Sequence, residues 1–169
     1  MEQVHFRKVL KSRFMEDLTD EEKNNALKYL IFLKEMTNGI IKDCGYTDGR
    51  PQHTTTDKND KQANTVGIES LFHVSTINTN EKRDVAVVDI SGAFMQADYD
   101  EPTVLKFEGK MAEILEKCDL KLYRKYLVHK NGEPVLYYNI VKALYGAVRA
   151  TKLFWGKLTD KLVEEMGFK

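Results

Sequence analysis

One carboxylate in this sequence stands where it could bind a metal ion. Asp89 ends a short run of β-branched and apolar residues, positions 85–88 after Asp84, which is typical of a strand buried on both faces. A carboxylate at the end of a buried strand is costly unless something pairs with it, and a divalent cation such as Mg²⁺ or Mn²⁺ is a suitable partner. A strand-ending turn or cap is the alternative, because Ile-Ser-Gly follows.

The most basic stretch of the chain combines cations with tyrosines. Lys121, Arg124 and Lys125 are interleaved with Tyr123 and Tyr126. Cations neutralise phosphates and aromatic rings stack on bases, so this stretch could follow the backbone of a nucleic-acid template. A solvated hairpin face explains the pattern equally well.

A second group of cations belongs to a predicted helix over residues 146–166, where apolar residues recur at helical spacing. Arg149, Lys152 and Gly156 share one face of that helix, and a small residue beside two cations suits the close approach of a phosphate backbone or nucleotide. An ordinary amphipathic helix gives the same spacing. By contrast, the acidic stretch at 98–101 is interpreted as a solvated turn and His73 as a surface residue.

Two Asn-Gly pairs divide the chain into hairpins. Asn38-Gly39 and Asn131-Gly132 are each flanked by apolar runs, and Asn-Gly suits the positive φ angles of a tight turn. A helix running through Leu33 is the competing interpretation of the first pair, and we favour the hairpin.

Other segments are assigned by their periodicity and composition. Residues 1–28 are predicted to be mainly helical, with a capping box that begins at Thr19, and residues 29–169 to form the rest of the molecule. Helices are expected at 68–77, packing beneath the Asp89 strand, and at 110–118, and a strand at 103–107. The polar residues 47–65 can bury little and are expected to be a mobile loop, either a linker or a functional loop.

Composition sets outer limits on the function. The chain has 169 residues, enough for one domain with a real core, and its 26 basic and 26 acidic residues give no net charge, so any nucleic-acid contact must come from local patches. Two cysteines are too few for a disulfide framework. With no signal-peptide pattern and no long apolar run, we expect an intracellular chain without membrane contact, in the cytoplasm or nucleus.

Two blocks, VVDISGAF at 87–94 and KALYGAVRATKLFW at 142–155, together resemble the palm of copia-type retrotransposon reverse transcriptases. There the pattern runs roughly D-V-x-x-A-F-L, then K-A-L-Y-G-L-K-Q-x-P-R-x-W. The segment from Lys42 through Arg50 to Gln52 resembles the fingers of that family. The resemblance covers roughly residues 30–169. It implies an α+β fold of fingers and partial palm, an antiparallel sheet with packed helices.

The resemblance also implies a reaction and a set of site residues. The reaction is template-directed nucleotidyl transfer, in which two Mg²⁺ ions clamp the attacking primer oxygen and the leaving pyrophosphate. Its partners are an RNA or DNA template–primer and deoxynucleoside triphosphates. Asp89 and the carbonyl of Ile90 would hold metal, and Phe94 would exclude a 2′ hydroxyl. Lys42 and Arg50 would hold the triphosphate, and the segment from Leu144 through Gly146 to Arg149 would lie under the templating base pair.

This sequence departs from the family pattern in several places. Cys44 stands where an arginine is usual, Arg149 replaces a glutamine and Thr151 replaces a proline. The sequence has no Asp-Asp pair, and it stops at Lys169, before the Tyr-x-Asp-Asp hairpin that carries the other metal ligands in that family. We therefore expect a fragment that does not polymerise alone.

Three hypotheses follow. The first is a piece of a reverse transcriptase, the second a nucleic-acid-binding module without catalysis, and the third a decayed reading frame. Because the strands of the missing motif would pair with the Asp89 strand, we also expect self-association through an unpaired sheet edge.

Overall fold

The computed structural model describes residues 8–61, 63 and 65–168, without the side chains of Lys42 and Asp43. Its centre is a six-stranded sheet in which β1–β6–β4–β2–β3 are neighbours and β5 pairs with β6. The strands are β1 (Leu10–Arg13), β2 (Leu27–Glu35), β3 (Ile41–Thr47), β4 (Val104–Glu108), β5 (Val128–Lys130) and β6 (Glu133–Ile140). The expected α+β class is confirmed at this level.

The core lies around β4 and β6, the two central strands. β6 is a nearly continuous apolar run, as expected of a strand covered on both faces, whereas the apolar residues of β4 are interrupted by Lys106 and Glu108. Leu105, Phe107 and Leu136 are completely buried. The sheet is mixed and not purely antiparallel as predicted, because β2 runs parallel to β4 where Leu27 faces Leu105.

Both Asn-Gly hairpins are confirmed. β2 and β3 pair in antiparallel fashion around Gly39, whose φ is +75°, and the Met36 N–H donates to the Ile40 carbonyl across the turn at 2.8 Å. β5 and β6 are joined by Asn131 and Gly132 with φ of +53° and +83°. Two successive positive φ angles are typical of a type I′ turn, which matches the twist of the flanking strands.

Five helices that lie wholly within the described residues accompany the sheet. They are α1 (Asp20–Asn25), α2 (Ile68–Asn80), α3 (Lys110–Cys118), α4 (Leu120–Tyr123) and α5 (Ala150–Asp160), and a π-helical turn at Lys161–Glu165 continues α5. The predicted capping box is present on α1, where the Glu22 N–H donates to the Thr19 hydroxyl at 3.1 Å and the Thr19 N–H donates to the Glu22 carboxylate at 2.8 Å. None of the described helices is long and apolar enough to cross a membrane.

The helical prediction for residues 1–28 is wrong over part of its length. Leu10–Arg13 is a strand, because pairing with β6, where Leu10 faces Ile140, satisfies its backbone and buries its apolar side chains. Positions 1–7, which include the apolar residues Val4 and Phe6, lie outside the described residues.

The predicted buried strand at 84–89 is also wrong. Residues 83–90 form neither strand nor helix and are exposed, with Val87 95% accessible. A strand needs a neighbour to pair with, and none of the described strands lies beside this segment. Helix α2 is confirmed, but no residue in it is buried, so its predicted packing beneath that strand is not observed.

The C-terminal helix is shorter than predicted, and a different side of it packs against the core. α5 begins at Ala150, because Gly146 with φ of +88° belongs to the preceding turn. Leu153 and Phe154 pack against the core, whereas Trp155, expected on the buried face, is 39% exposed. The helix ends before Gly167, where φ is +70°, as predicted.

Two phenylalanines test where the core lies. Phe107→Ala should lower the free energy of unfolding by about 3–5 kcal/mol, because it empties a fully buried site. Phe72→Ala on α2, where the ring is 67% exposed, should cost less than about 0.5 kcal/mol. Urea unfolding followed by circular dichroism measures both, and equal losses would refute this placement of the core.

Candidate functional site

The end of the first hairpin contacts the turn that precedes α5. The Thr47 N–H donates to the Tyr145 carbonyl at 2.7 Å, and the Thr47 hydroxyl donates to the same oxygen at 3.1 Å. Thr47 is almost completely buried although it is polar, and these two bonds satisfy its donors. We call this contact between Thr47–Gly49 and Tyr145–Gly146 the hairpin–turn joint.

Two glycines allow the joint to close. A Cβ on Gly146 would lie 2.0 Å from the Thr47 carbonyl oxygen, and a Cβ on Gly49 would lie 2.1 Å from the Gly146 carbonyl oxygen. Both distances are far below van der Waals contact, and both obstacles are backbone atoms that no rotamer change can move. The backbones approach this closely only because neither residue carries a side chain.

The Gln52 side chain forms hydrogen bonds that hold the chain in place just after the joint. Its Oε1 accepts a hydrogen bond from the Val148 N–H at 3.1 Å, and its Nε2 donates to the Tyr99 hydroxyl at 2.9 Å. The carboxamide therefore links the loop after β3 to two separate parts of the core. Burial raises the pKa of the Tyr99 hydroxyl.

Residues 47–61, within the segment that was expected to be a mobile loop, have defined structure. Arg50–His53 and Lys58–Asp60 form 3₁₀ turns. The Asp60 carboxylate accepts a hydrogen bond from the Lys152 ammonium on α5, so this end of the loop is tied to the helix. That bond lowers the pKa of Asp60. The loop is thus held at the joint, at Gln52 and at Asp60.

Three aromatic rings lie next to the joint. The Phe94 ring centroid is 4.6 Å from that of Tyr145 and 6.1 Å from that of Phe154. Phe94 is half-buried, whereas the Tyr145 ring is 45% exposed and can accept a further planar group. We call these three rings the aromatic platform. It brings together the two sequence blocks that suggested a polymerase palm.

The cations predicted to bind nucleotide are engaged by carboxylates of the same chain. Arg149 is 15% exposed, and its guanidinium bonds Asp100 at 2.8 Å and also Glu101. Arg50 forms a two-pronged pair with Asp48, with Nε to Oδ1 at 2.8 Å. Arg149 and Lys152 therefore hold chain segments together as the structure stands. The side chain of Lys42 lies outside what the structure describes.

The predicted metal ligand has different surroundings from those expected. Asp89 and Ile90 lie in the exposed segment 83–90, so Asp89 is not a charge at the end of a buried strand and needs no cation to offset burial. Within the described part of the chain, no group of three or more His, Cys, Asp or Glu side chains is arranged to hold a metal ion. The donor set among the described residues therefore does not fit a two-magnesium centre.

In the basic aromatic stretch the three cations are exposed, but the two tyrosine rings are not both accessible. Lys121, Arg124 and Lys125 are exposed on α4 and the turn after it, and the Lys125 ammonium lies 4.9 Å from the Tyr126 ring centroid. Tyr123 is buried in the core, and Tyr126 packs against Phe14 at 4.4 Å between centroids. Stacking of bases on Tyr123 is therefore not possible, and these cations can act only by charge.

Comparison with known proteins gives no match to any family model, curated protein or solved structure. The candidate site is therefore defined by its geometry alone. The resemblance placed position 145 in the segment under the templating base pair, but the sequence assigned Tyr145 no contact of its own, and it did not reveal Asp60 as the partner of Lys152.

The joint can be tested by adding one methyl group. Gly146→Ala places a Cβ against the Thr47 backbone at a φ of +88° and should lower the free energy of unfolding by about 2–5 kcal/mol. Gly132→Ala is the matched control, because its φ of +83° is similar but no atom lies within 4 Å of the added carbon. It should cost about 1–2 kcal/mol. Similar losses in urea unfolding would contradict the close contact.

The loop should also give the stability a dependence on acidic pH. The side-chain hydrogen bond from Arg50 lowers the pKa of Asp48 from 3.8 to about 2. The unfolded chain therefore binds this proton more readily, so stability present above pH 4 is lost as the pH falls toward 2. In Asp48→Asn the decline in unfolding free energy between pH 5 and pH 2 should be shallower. An unchanged slope would show that the pair does not affect folding.

Proposed function

We propose that the chain is a fingers and partial palm portion of a copia-type reverse transcriptase that binds deoxynucleoside triphosphate and template–primer. One observation carries the proposal. Three segments that resemble the family, at 42–52, 87–94 and 142–155, are distant in sequence. Thr47 and Gln52 of the first contact the third at the hairpin–turn joint, and Phe94 of the second packs on Tyr145 in the aromatic platform. These contacts between the three segments support the proposal.

The aromatic platform is the proposed nucleotide contact. Tyr145 presents an exposed ring beside Gly146, which is also exposed at the surface. A base or sugar that packs on an exposed ring gains about 1–3 kcal/mol. Phe94 supports the Tyr145 ring from the side, and this agrees with the role that the resemblance gives to Phe94, under the sugar.

Phosphate groups would be drawn to nearby cations. The Arg50 side chain is 87% exposed although it pairs with Asp48, so a triphosphate could compete for its guanidinium. Lys121, Arg124 and Lys125 are exposed and suit a phosphate backbone, whose binding should weaken as salt rises.

A second candidate function is nucleic-acid binding without catalysis. The observation that favours it is the lack of a metal-holding group among the described residues, together with the pairing of Arg149 and Lys152 to their own carboxylates. Under both candidates the described residues bind but do not supply the metal pair that nucleotidyl transfer needs.

Nucleotide binding tests the proposal directly. Fluorescence anisotropy of a labelled deoxynucleoside triphosphate should detect saturable binding, and Tyr145→Ala should weaken it about tenfold, because stacking is lost. Phe168→Ala, which removes another exposed ring far along the chain, is the control and should leave the affinity unchanged. No binding at millimolar nucleotide, or equal effects of both variants, would refute the nucleotide site.

Primer extension on an RNA template separates the two candidates from a complete enzyme. We expect no product from residues 1–169, because the described residues lack a metal-holding group. Extension that disappears in Asp89→Asn would contradict this and restore Asp89 as a metal ligand.

A further inference from the structure

The segment 83–90 exposes three valines to solvent. Val85, Val87 and Val88 are 66%, 95% and 79% accessible. Among the described residues, no backbone hydrogen bond is formed by positions 84–91. Apolar side chains and unsatisfied backbone groups on the same segment are the two requirements for pairing with another strand.

The order of residues in this segment is self-complementary. If it is extended, alternate residues share a face, and one face reads Arg83, Val85, Val87, Asp89. In an antiparallel pair of two copies, Arg83 of one copy faces Asp89 of the other at both ends, and Val85 faces Val87 between them. The same four residues thus provide a cation, two apolar contacts and an anion in matching order.

Symmetry narrows the choice of register. When two copies of a strand pair around a two-fold axis perpendicular to the strands, a given residue points to the same face of the sheet in both copies. Residues that face each other across the pair must therefore both have odd numbers or both have even numbers. Of these registers centred between Asp84 and Asp89, only the one centred on Ala86 places a carboxylate opposite a cation. The registers centred on Asp84 and on Asp89 each bring two identical aspartates together, which is unfavourable.

We propose that residues 83–89 form an antiparallel strand pair with a second copy of this chain, centred on Ala86 and closed by two Arg83–Asp89 ion pairs. In the single chain Arg83 pairs with Glu81, but both side chains are more than half exposed, and such a pair costs little to exchange.

The pairing has a consequence for Asp89. In the paired state its carboxylate is engaged by Arg83 of the other copy and its backbone lies within a sheet. The proposal is independent of nucleotide binding at Tyr145, because the two surfaces have no residue in common, and the oligomeric state can be measured without nucleotide.

Sedimentation equilibrium of residues 1–169 tests the surface. The chain should show a concentration-dependent monomer–dimer equilibrium, and Val87→Lys should raise the dimer dissociation constant more than tenfold. Val87 makes almost no contact within the single chain, so this variant should fold normally, as circular dichroism can verify. Val163→Lys, at another exposed valine, is the control and should dimerise like the unmodified chain. A monomer at all concentrations, or equal effects of both variants, would overturn the proposal.

Charge reversal tests the register. Arg83→Asp and Asp89→Arg should each weaken self-association more than tenfold, because each places like charges opposite one another. Mixing the two variants in equal amounts should restore dimers, since both ends of the mixed strand pair then place a guanidinium opposite a carboxylate. If the mixture associates no better than either variant alone, the pairing of 83 with 89 is wrong.

Discussion

Backbone contact at the hairpin–turn joint is the constraint on which the proposed site depends. Thr47 and Gly49 at the end of the first hairpin lie against Tyr145 and Gly146 with no side chain between them. This contact fixes where the loop after β3 begins, and Gln52 and Asp60 then hold it against Val148 and α5. The exposure of the Tyr145 ring follows from it, because the joint engages the backbone of Tyr145 and leaves the side chain outside.

Local signals in the sequence predicted local structure well. Both Asn-Gly turns and the capping box at Thr19 formed as expected, because turn and cap preferences depend on neighbouring residues. The composition of residues 84–89 predicted a buried strand. A strand forms only beside a partner strand, and the composition of a segment does not show whether a partner is present. The prediction of which face of α5 packs against the core was wrong for a related reason. Gly146 delays the start of the helix to Ala150, and the side that packs is decided by the core.

The sequence named residues of the candidate site but not its ion pairs. The resemblance pointed to Phe94 and Gly146, which lie in the aromatic platform and in the adjoining hairpin–turn joint, respectively. It did not reveal that Arg149 and Lys152 are held by Asp100, Glu101 and Asp60, because those carboxylates are far away in sequence. The exposure of residues 83–90 weakens the argument for metal at Asp89, and the same exposure leaves this segment open to a second copy of the chain.

Amide hydrogen exchange gives the most direct measurement of the joint. The Thr47 N–H is bonded to the Tyr145 carbonyl and the Val148 N–H to the Gln52 side chain, so both should exchange slowly, at rates comparable to the amides of β4. The Val87 amide, which has no partner among the described residues, provides the fast reference under conditions that favour the monomer. If Thr47 and Val148 exchange as fast as Val87, the hairpin and the turn are not held together, and the site assembled on them does not exist.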